Sequence, residues 1–343
     1  MVSYSNLADK RVVSYSKLED VRSCPRKYEL LNVLNASPVA GGEDNIDFMF
    51  GHGVGTGLQL LVAGVPLQES LLYASLEWKA SIFDIMPRKK KSFWHLLHAV
   101  NKATKTVLPC LVDYEVFDWE DDEGNFHSGM ETYFRLELED DKSVYEGHID
   151  LLMIHKKTRE LCVFEIKTNA FSIVHEAMYA NSLQVDGYSL FCAMLQRRYG
   201  EKYNIAYTPK VEVKYIVYKV PELDYEFLPL VKSYRHWKRF WLDVHSDIKS
   251  LNRYAEEGNY PCRGSACYDY FRACFFFGTC HYPNDRFASY ASRFEESDCP
   301  PEIFGAQEIS TFLAESSIES KNSADVGIVN KVDTSSGLES FTL

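Results

Sequence analysis

What this chain of 343 residues lacks narrows its function first. It has no run of eighteen uncharged apolar residues, which excludes a membrane-spanning helix. Its first twenty residues, MVSYSNLADKRVVSYSKLED, hold no apolar core of the kind a secretory leader needs. An intracellular, cytoplasmic protein with no membrane partner is therefore expected. No GxxxxGK[ST] loop is present, which argues against a P-loop motor or helicase. Basic residues are in deficit: 37 Lys and Arg against 49 Asp and Glu leave a net charge of −12. A general polyanion binder would be basic, so any contact with nucleic acid has to come from a local patch.

The composition, 46% hydrophobic and 25% charged, is that of a globular protein large enough for one big domain or two ordinary ones. Nine cysteines stand out. In an intracellular chain, clustered cysteines are more often metal ligands or redox groups than disulfides. Cys262, Cys267, Cys274 and Cys280 fall close together, whereas Cys24, Cys110, Cys162, Cys192 and Cys299 are scattered.

Hydrophobic patterning alternates between helix and strand. Ser16 and Glu19 have capping-box spacing, and Pro25 suits the first turn of a second helix, placing Cys24 at a break between two helices. FGHGVGTGLQLLV reads as a glycine-rich turn entering a helix, followed by helical segments over 68–106. METYFRLELE, GHIDLLMIH, ELCVFEIKT and KVEVKYIVYKV read as strands, 172–199 and 229–257 as helices. The Ser-rich, acidic stretch from 286 to 343 reads as a flexible tail.

Two of these strands each carry a carboxylate among apolar neighbours: Asp150 beside Ile149 and Leu151, and Glu165 after Val163 and Phe164. A buried unpaired charge is expensive, so something must offset it. Side chains alternate along a strand, so Glu165 and Lys167 share a face, and a hairpin through 156–159 brings Asp150 beside them. Two carboxylates and the Ile166 carbonyl form a hard oxygen site suited to Mg²⁺ or Mn²⁺, and a nearby amine can orient water or balance charge on a phosphate. A surface hairpin with a Glu–Lys pair is the plainer alternative.

GHID followed by FEIK resembles the PD-(D/E)XK nuclease superfamily in its RecB-type exonuclease branch. SYSKLEDVRSCPRKYEL is similar to that branch's amino-terminal cysteine motif, and QVDGY, Gln184 to Tyr188, to its QxxxY motif. The late cysteines resemble the iron–sulfur ligands of CRISPR-associated, AddB-like and exonuclease V-like nucleases. The resemblance spans residues 14 to about 281 and implies an α/β fold, a mixed central β-sheet flanked by helices, with a helical, cysteine-rich iron–sulfur periphery. Asp150, Glu165, Lys167, Gln184 and Tyr188 would be catalytic, with Asp150, Glu165 and the Ile166 carbonyl on the metal. The branch's metal-binding histidine falls at Gly55, leaving His52 as a candidate substitute.

The resemblance further implies a [4Fe–4S] cluster on Cys24, Cys267, Cys274 and Cys280, with Cys262 as an alternative ligand. Zinc on the same thiols, or unligated cysteines, stay open. Such a staple would tie the ends of a nuclease domain, residues 1–285, with a helical insertion at about 56–110 and a catalytic core at about 130–220. Arg88, Lys89, Lys90 and Lys91, near Phe93 and Trp94, form a candidate DNA surface, as do Arg26 and Lys27. The function implied is a stand-alone, phage-type DNA exonuclease acting on single strands or duplex ends in recombination, replication or DNA degradation, beside recombination or replication proteins. The alternatives are a catalytically weak nuclease-fold binding or assembly module and a zinc-stapled adaptor.

Overall fold

The computed structural model describes residues 11–36, 46–78, 91–139, 142–171, 174, 176–269, 272–284 and 300–324. Its centre is an eight-stranded mixed sheet. The main path is β12 (Glu302–Phe304), β5 (Met130–Glu137), β6 (Ser143–His155), β7 (Leu161–Asn169), β8 (Lys210–Lys219) and β9 (Asp224–Ser233). β1 (Arg11–Ser14) and β2 (Tyr114–Val116) both pair with β6, while β3 (Trp119–Glu120) pairs with β4 (Phe126–His127) and β10 (Tyr268–Asp269) with β11 (Arg272–Ala273) outside this sheet, and α6 (Glu176–Ala180) is a short helix after β7. The links β12–β5, β1–β6 and β7–β8 are parallel, the others antiparallel.

A parallel pair needs a crossover, and α7 (Leu183–Tyr203) supplies it between β7 and β8. Its residues are buried along most of its length, because the sheet lies on one side and α8 (Tyr234–Glu257) on the other. On that face Val163, Val213, Tyr215, Phe191, Trp237 and Phe240 form one core. On the opposite face Phe164, Ile166, Ile216 and Tyr218 meet α3 (Ile46–Val62), α4 (Leu67–Leu76) and α5 (Phe93–Thr106).

Several sequence expectations change. The glycine-rich stretch is not a turn: residues 46–62 form one unbroken helix. Its glycines serve close approach. A Cβ at Gly53 would lie 2.9 Å from the Ala74 carbonyl oxygen, and one at Gly57 would lie 2.5 Å from Val100 Cγ2. The first helix, α1 (Tyr15–Ser23), starts before the expected cap, with Ser14 at the N-cap. Pro25 does open α2 (Pro25–Tyr28), and Cys24 is extended between the two. Residues 229–233 belong to β9 rather than to the following helix. Pro229 is tolerated in β9 because that strand is at the sheet edge, where a missing N–H costs little.

The tail expectation also needs correction for its described part. Residues 302–304 extend the sheet beside β5, and α9 (Ala306–Ala324) packs on the core through Ile309, Phe312 and Leu313. These three have helix-face spacing, which a compositional reading of Ser and acidic residues does not register. Glu302 is buried and anchors the edge: Arg198 Nη1 reaches its Oε1 at 2.5 Å, and Trp119 Nε1 its Oε2 at 3.2 Å. Residues 285–299 and 325–343, with Cys299, lie outside the described residues. No helix among the described residues is long and apolar enough to cross a membrane.

The α3 glycines separate two effects cleanly. Gly55 has nothing within 4 Å of a notional Cβ, so Gly55→Ala should gain about 0.5–1 kcal/mol of helix propensity. Gly57→Ala should lose about 1 kcal/mol or more net, because overpacking costs ~1–3 kcal/mol. Urea unfolding of the two variants checks the pair; equal shifts would refute the close-packing account.

Candidate active site

The site forms where two strands part. β6 and β7 pair only through 151–154 and 161–164. Beyond that, β6 turns to β1, through register partners 143–146, and β7 stays on β8. In the opening, Asp150 Oδ2 accepts the Ile166 backbone N–H at 2.6 Å, replacing a lost strand partner with a side chain. Glu165, opposite Tyr215 in the sheet and 2% exposed, lies beside it. Its Oε1 accepts from Lys167 Nζ at 2.6 Å and from Gln184 Nε2 at 2.9 Å. Its Oε2 is buried with no hydrogen-bond partner among the described residues.

The first turn of α7 completes the wall. Ser182 caps it by accepting the Gln184 N–H, which aims Gln184 at the strand ends. Gln184 Nε2 also donates to the Tyr188 hydroxyl at 2.8 Å, and that hydroxyl donates to the His148 carbonyl. The residues Asp150, Glu165, Ile166, Lys167, Gln184 and Tyr188 are thus brought together. The i, i+4 spacing on one strip of helix is the physical reason Gln184 and Tyr188 act as a unit.

Burial pushes the Glu165 carboxyl well above its ordinary value, and the Asp150 charge pushes the same way; Lys167 and Gln184 offset only part of this. Asp150 is also raised, by burial first and by Glu131, against the pull of Lys167 and the Ile166 N–H. Burial alone would lower the Lys167 ammonium, but Glu165 and Asp150 raise it on balance. With both carboxyls ionised, the site would hold more negative charge than its own amine balances, so without a cation the carboxyls tend to keep protons. An all-oxygen donor set, an orphaned buried carboxylate oxygen and two carboxyls that resist ionising without a counter-charge fit a hard divalent cation.

Other expected site residues lie elsewhere or have other work. His52 is exposed, and its ring packs on Phe48 with centroids 4.1 Å apart. Arg26 is buried rather than presented to phosphate. It donates from Nε to the Cys280 carbonyl at 2.8 Å, from Nη1 to Glu29 at 2.5 Å and Asn284 at 2.7 Å, and from Nη2 to the Tyr282 carbonyl at 3.0 Å. Its guanidinium fork thus clamps the 280–284 loop to α2, which corrects the DNA-binding expectation for this residue. Lys27 pairs with Asp20 at 2.6 Å. Lys91 pairs with Asp47 at 3.0 Å and lies over the Phe50 ring. Arg88, Lys89 and Lys90 lie outside the described residues.

Cys24, Cys262, Cys267, Cys274 and Cys280 line one cavity of about 200 Å³, together with Phe276 and Lys27. The cysteines among the described residues are free thiols. Desolvation and the neighbouring Cys280 and Cys24 thiols push the Cys262 thiol above its ordinary value. The sulfurs do not converge as the ligands of one ion would. Among the described residues, the His/Cys/Asp/Glu group whose ligand atoms lie within 4.8 Å of one another is instead Asp121, His127 and Glu302.

Sequence reasoning missed that group, in which His127 Nε2 lies 3.2 Å from Asp121 and 3.4 Å from Glu302. Its third member comes from a strand read as tail, so no sequence spacing announced it. Glu131 and Gln59 were missed as well. Gln59 Nε2, on α3, donates to Glu131 Oε1 at 2.5 Å and to the Asp150 carbonyl at 3.2 Å. No sequence signal marks Glu131, because the strand around it alternates regularly in sequence.

A family model described as PD-(D/E)XK nuclease superfamily matches residues 12–281. No curated protein matches the chain. Among solved structures, a protein from Eubacterium rectale described as "Putative exonuclease" is 12% identical, with a TM-score of 0.41, over 77% of this chain and 88% of that one. The structure of SSO0001 is 11% identical, with a TM-score of 0.30, over 71% of this chain and 79% of the other.

The raised carboxyls set a sign for pH dependence. Between about pH 4, where unfolded Asp and Glu ionise, and the raised native values, the folded chain holds more protons than the unfolded one. Stability without cation therefore falls as pH rises through that window. Asp150→Asn should relieve part of the penalty, gaining roughly 1 kcal/mol at pH 8 and little near pH 4, since a tenfold change in a protonation equilibrium is worth about 1.4 kcal/mol. Urea unfolding in chelator at both pH values measures it; a larger gain at the acidic end would refute the charge-repulsion account.

Proposed function

As this chain belongs to the PD-(D/E)XK nuclease superfamily, we propose that it is a divalent-cation-dependent DNA exonuclease acting on strand ends in recombination, replication or DNA degradation. The observation that carries the reading is the buried Glu165 Oε2 with no hydrogen-bond partner, next to Asp150 and Lys167 where β6 and β7 part. Asp150, Glu165 and the Ile166 carbonyl would hold Mg²⁺ or Mn²⁺. When bound, such an ion supplies charge stabilisation at phosphate and lowers the pKa of water.

The reaction is hydrolysis. A water oxygen forms the new bond to phosphorus, the bond to the 3′ oxygen breaks, and that oxygen takes up a proton while the other fragment keeps a 5′ phosphate. Lys167 holds its proton, so its part is to orient Glu165 and to balance charge on a phosphate drawn into the opening. Gln184 fixes the Glu165 rotamer, and Tyr188 fixes Gln184 and the β6 backbone at His148.

The cysteine cavity takes an iron–sulfur cluster on the same reading, held by Cys24, Cys267, Cys274 and Cys280, with Cys262 at hand as an alternative. Thiols surrounding a cavity of about 200 Å³, and not closing to single-ion spacing, suit a multi-atom cluster better than one tetrahedral zinc. With Arg26 clamping the same loop to α2, the group would join the amino-terminal helices to residues 262–284.

Two measurements test this. End-labelled linear DNA should be digested with Mg²⁺ or Mn²⁺ and not with chelator, covalently closed circles should survive, and Asp150→Ala and Lys167→Ala should each lose at least about a hundredfold in rate. Equal digestion by variant and wild type sinks the enzyme reading. Anaerobically purified protein should contain iron and sulfide and absorb visible light; stoichiometric zinc without iron assigns the cavity to zinc instead.

A further inference from the structure

β6 runs bare on one flank where it borders the site. β1 pairs with it only as far as Glu146, and the β7 ladder begins only at Leu151. Among the described residues, 147–150 therefore have β5 on one side and the opening on the other. Gly147 and Ile149 point to the α7 face: a Cβ at Gly147 would lie 2.5 Å from Phe134 Cζ, and Ile149 is in the α7-side core. Alternation turns His148 to the other face, where it is exposed.

The register partner of His148 on β5 is Tyr133. The two rings are stacked, with centroids 4.5 Å apart and planes 8° from parallel. That separation is close to the spacing of neighbouring strands, so the stack runs across the sheet and both rings stand on edge. Tyr133 takes one face of the imidazole. The other face looks toward the opening, two residues along β6 from Asp150. Hydrogen bonds hold the stack in place. The Tyr133 hydroxyl donates to Glu146 at 2.9 Å and accepts from Arg135 Nε at 2.7 Å, while the His148 carbonyl accepts from Tyr188. Lys17 and Arg135 share Glu146, at 3.7 and 3.8 Å. The group thus carries one positive charge in excess beside the rings, in a chain whose net charge is −12.

We propose that the Tyr133–His148 stack is a platform for an unpaired DNA base, which continues the stack on the free face of His148 and so delivers the neighbouring phosphate to the opening; this rests on the nuclease reading above. A ring already held in place loses little freedom when a base settles on it. Every base has a π-face to offer, so the contact tolerates any sequence, as digestion of arbitrary DNA requires. A duplex hides all base faces except those of its terminal pairs, so the platform selects single strands and frayed ends. The excess charge of Lys17 and Arg135 suits the phosphates on either side of the stacked base.

Steady-state digestion by the full chain with Mn²⁺ reads the stack, using short single strands with or without one abasic residue at or next to an end. Wild type should lose about tenfold in kcat/KM on one of the abasic strands, chiefly through KM. His148→Ala should show that loss on the intact strand and no longer tell the two strands apart. His148→Phe, which restores a ring, should recover the discrimination. His148→Gln removes the ring and keeps a polar side chain, so it carries the same test if the alanine variant folds poorly. Full discrimination in the ringless variants, or none in wild type, overturns the platform and leaves the nuclease reading standing. A lower KM for blunt duplex than for single strand overturns the choice of an unpaired base. No digestion of DNA by wild type overturns both readings.

Discussion

Everything at the site depends on one hydrogen bond, from the Ile166 N–H to the Asp150 carboxylate. A sheet interior satisfies its backbone groups by pairing strands, and a strand that leaves its neighbour strands an N–H. Here β6 leaves β7 after a short ladder, and an acidic side chain takes the place of the missing strand. That exchange accomplishes two things together. It keeps the parted strands from exposing unsatisfied backbone, and it holds a carboxylate within the field of Glu165. Had β6 and β7 stayed paired along their whole length, Asp150 would lie on one face of a closed sheet and the opening would not exist.

The helix over this opening is specialised in the same sense. α3 carries glycines at positions where α4 and α5 come closest, which lets the helix sit deep enough for Gln59 to reach the β6 backbone at Asp150. Glycine inside a helix costs about 1 kcal/mol relative to alanine, so each is a local concession to tertiary packing. Glu131 is a second concession, since a left-handed non-glycine residue costs about 1–2 kcal/mol. Such concessions gather where the fold has to place side chains rather than merely bury them.

Much of this was legible in the sequence, for identifiable reasons. Asp150, Glu165 and Lys167 could be paired in advance because a two-residue period and a short turn determine which side chains meet. Gln184 and Tyr188 followed from helix spacing, and Cys24 at a helix break followed from Pro25. What escaped depends on contacts across long separations. The glycines of α3 looked like a turn, because their reason lies in Ala74, Leu96 and Val100 on other helices. Arg26 looked available to phosphate, because its carbonyl partners stand more than 250 residues further along the chain. Strand β12 looked like tail, because three residues joining the edge of a sheet carry too little pattern to be seen alone. The left-handed backbone at Glu131 left no trace, since the strand around it alternates regularly in sequence.

The charge balance makes a further point about how an acidic protein could work on a polyanion. The net charge is −12, and the site itself places Asp150 and Glu165 beside a single amine. A phosphodiester brought to this opening alone would meet net repulsion in surroundings where screening is weak. A divalent ion changes the sign of the local field, so on the proposed reading it determines both whether substrate can enter and whether the bond can break. The two requirements then share one cause. Substrate affinity would depend on the cation as strongly as turnover does, while general salt would weaken only the phosphate contacts outside the opening. A module that binds nucleic acid without hydrolysing it has no use for two neighbouring carboxylates in such an opening, which make binding harder. On the proposed reading, the ion held there offsets the cost of assembling them.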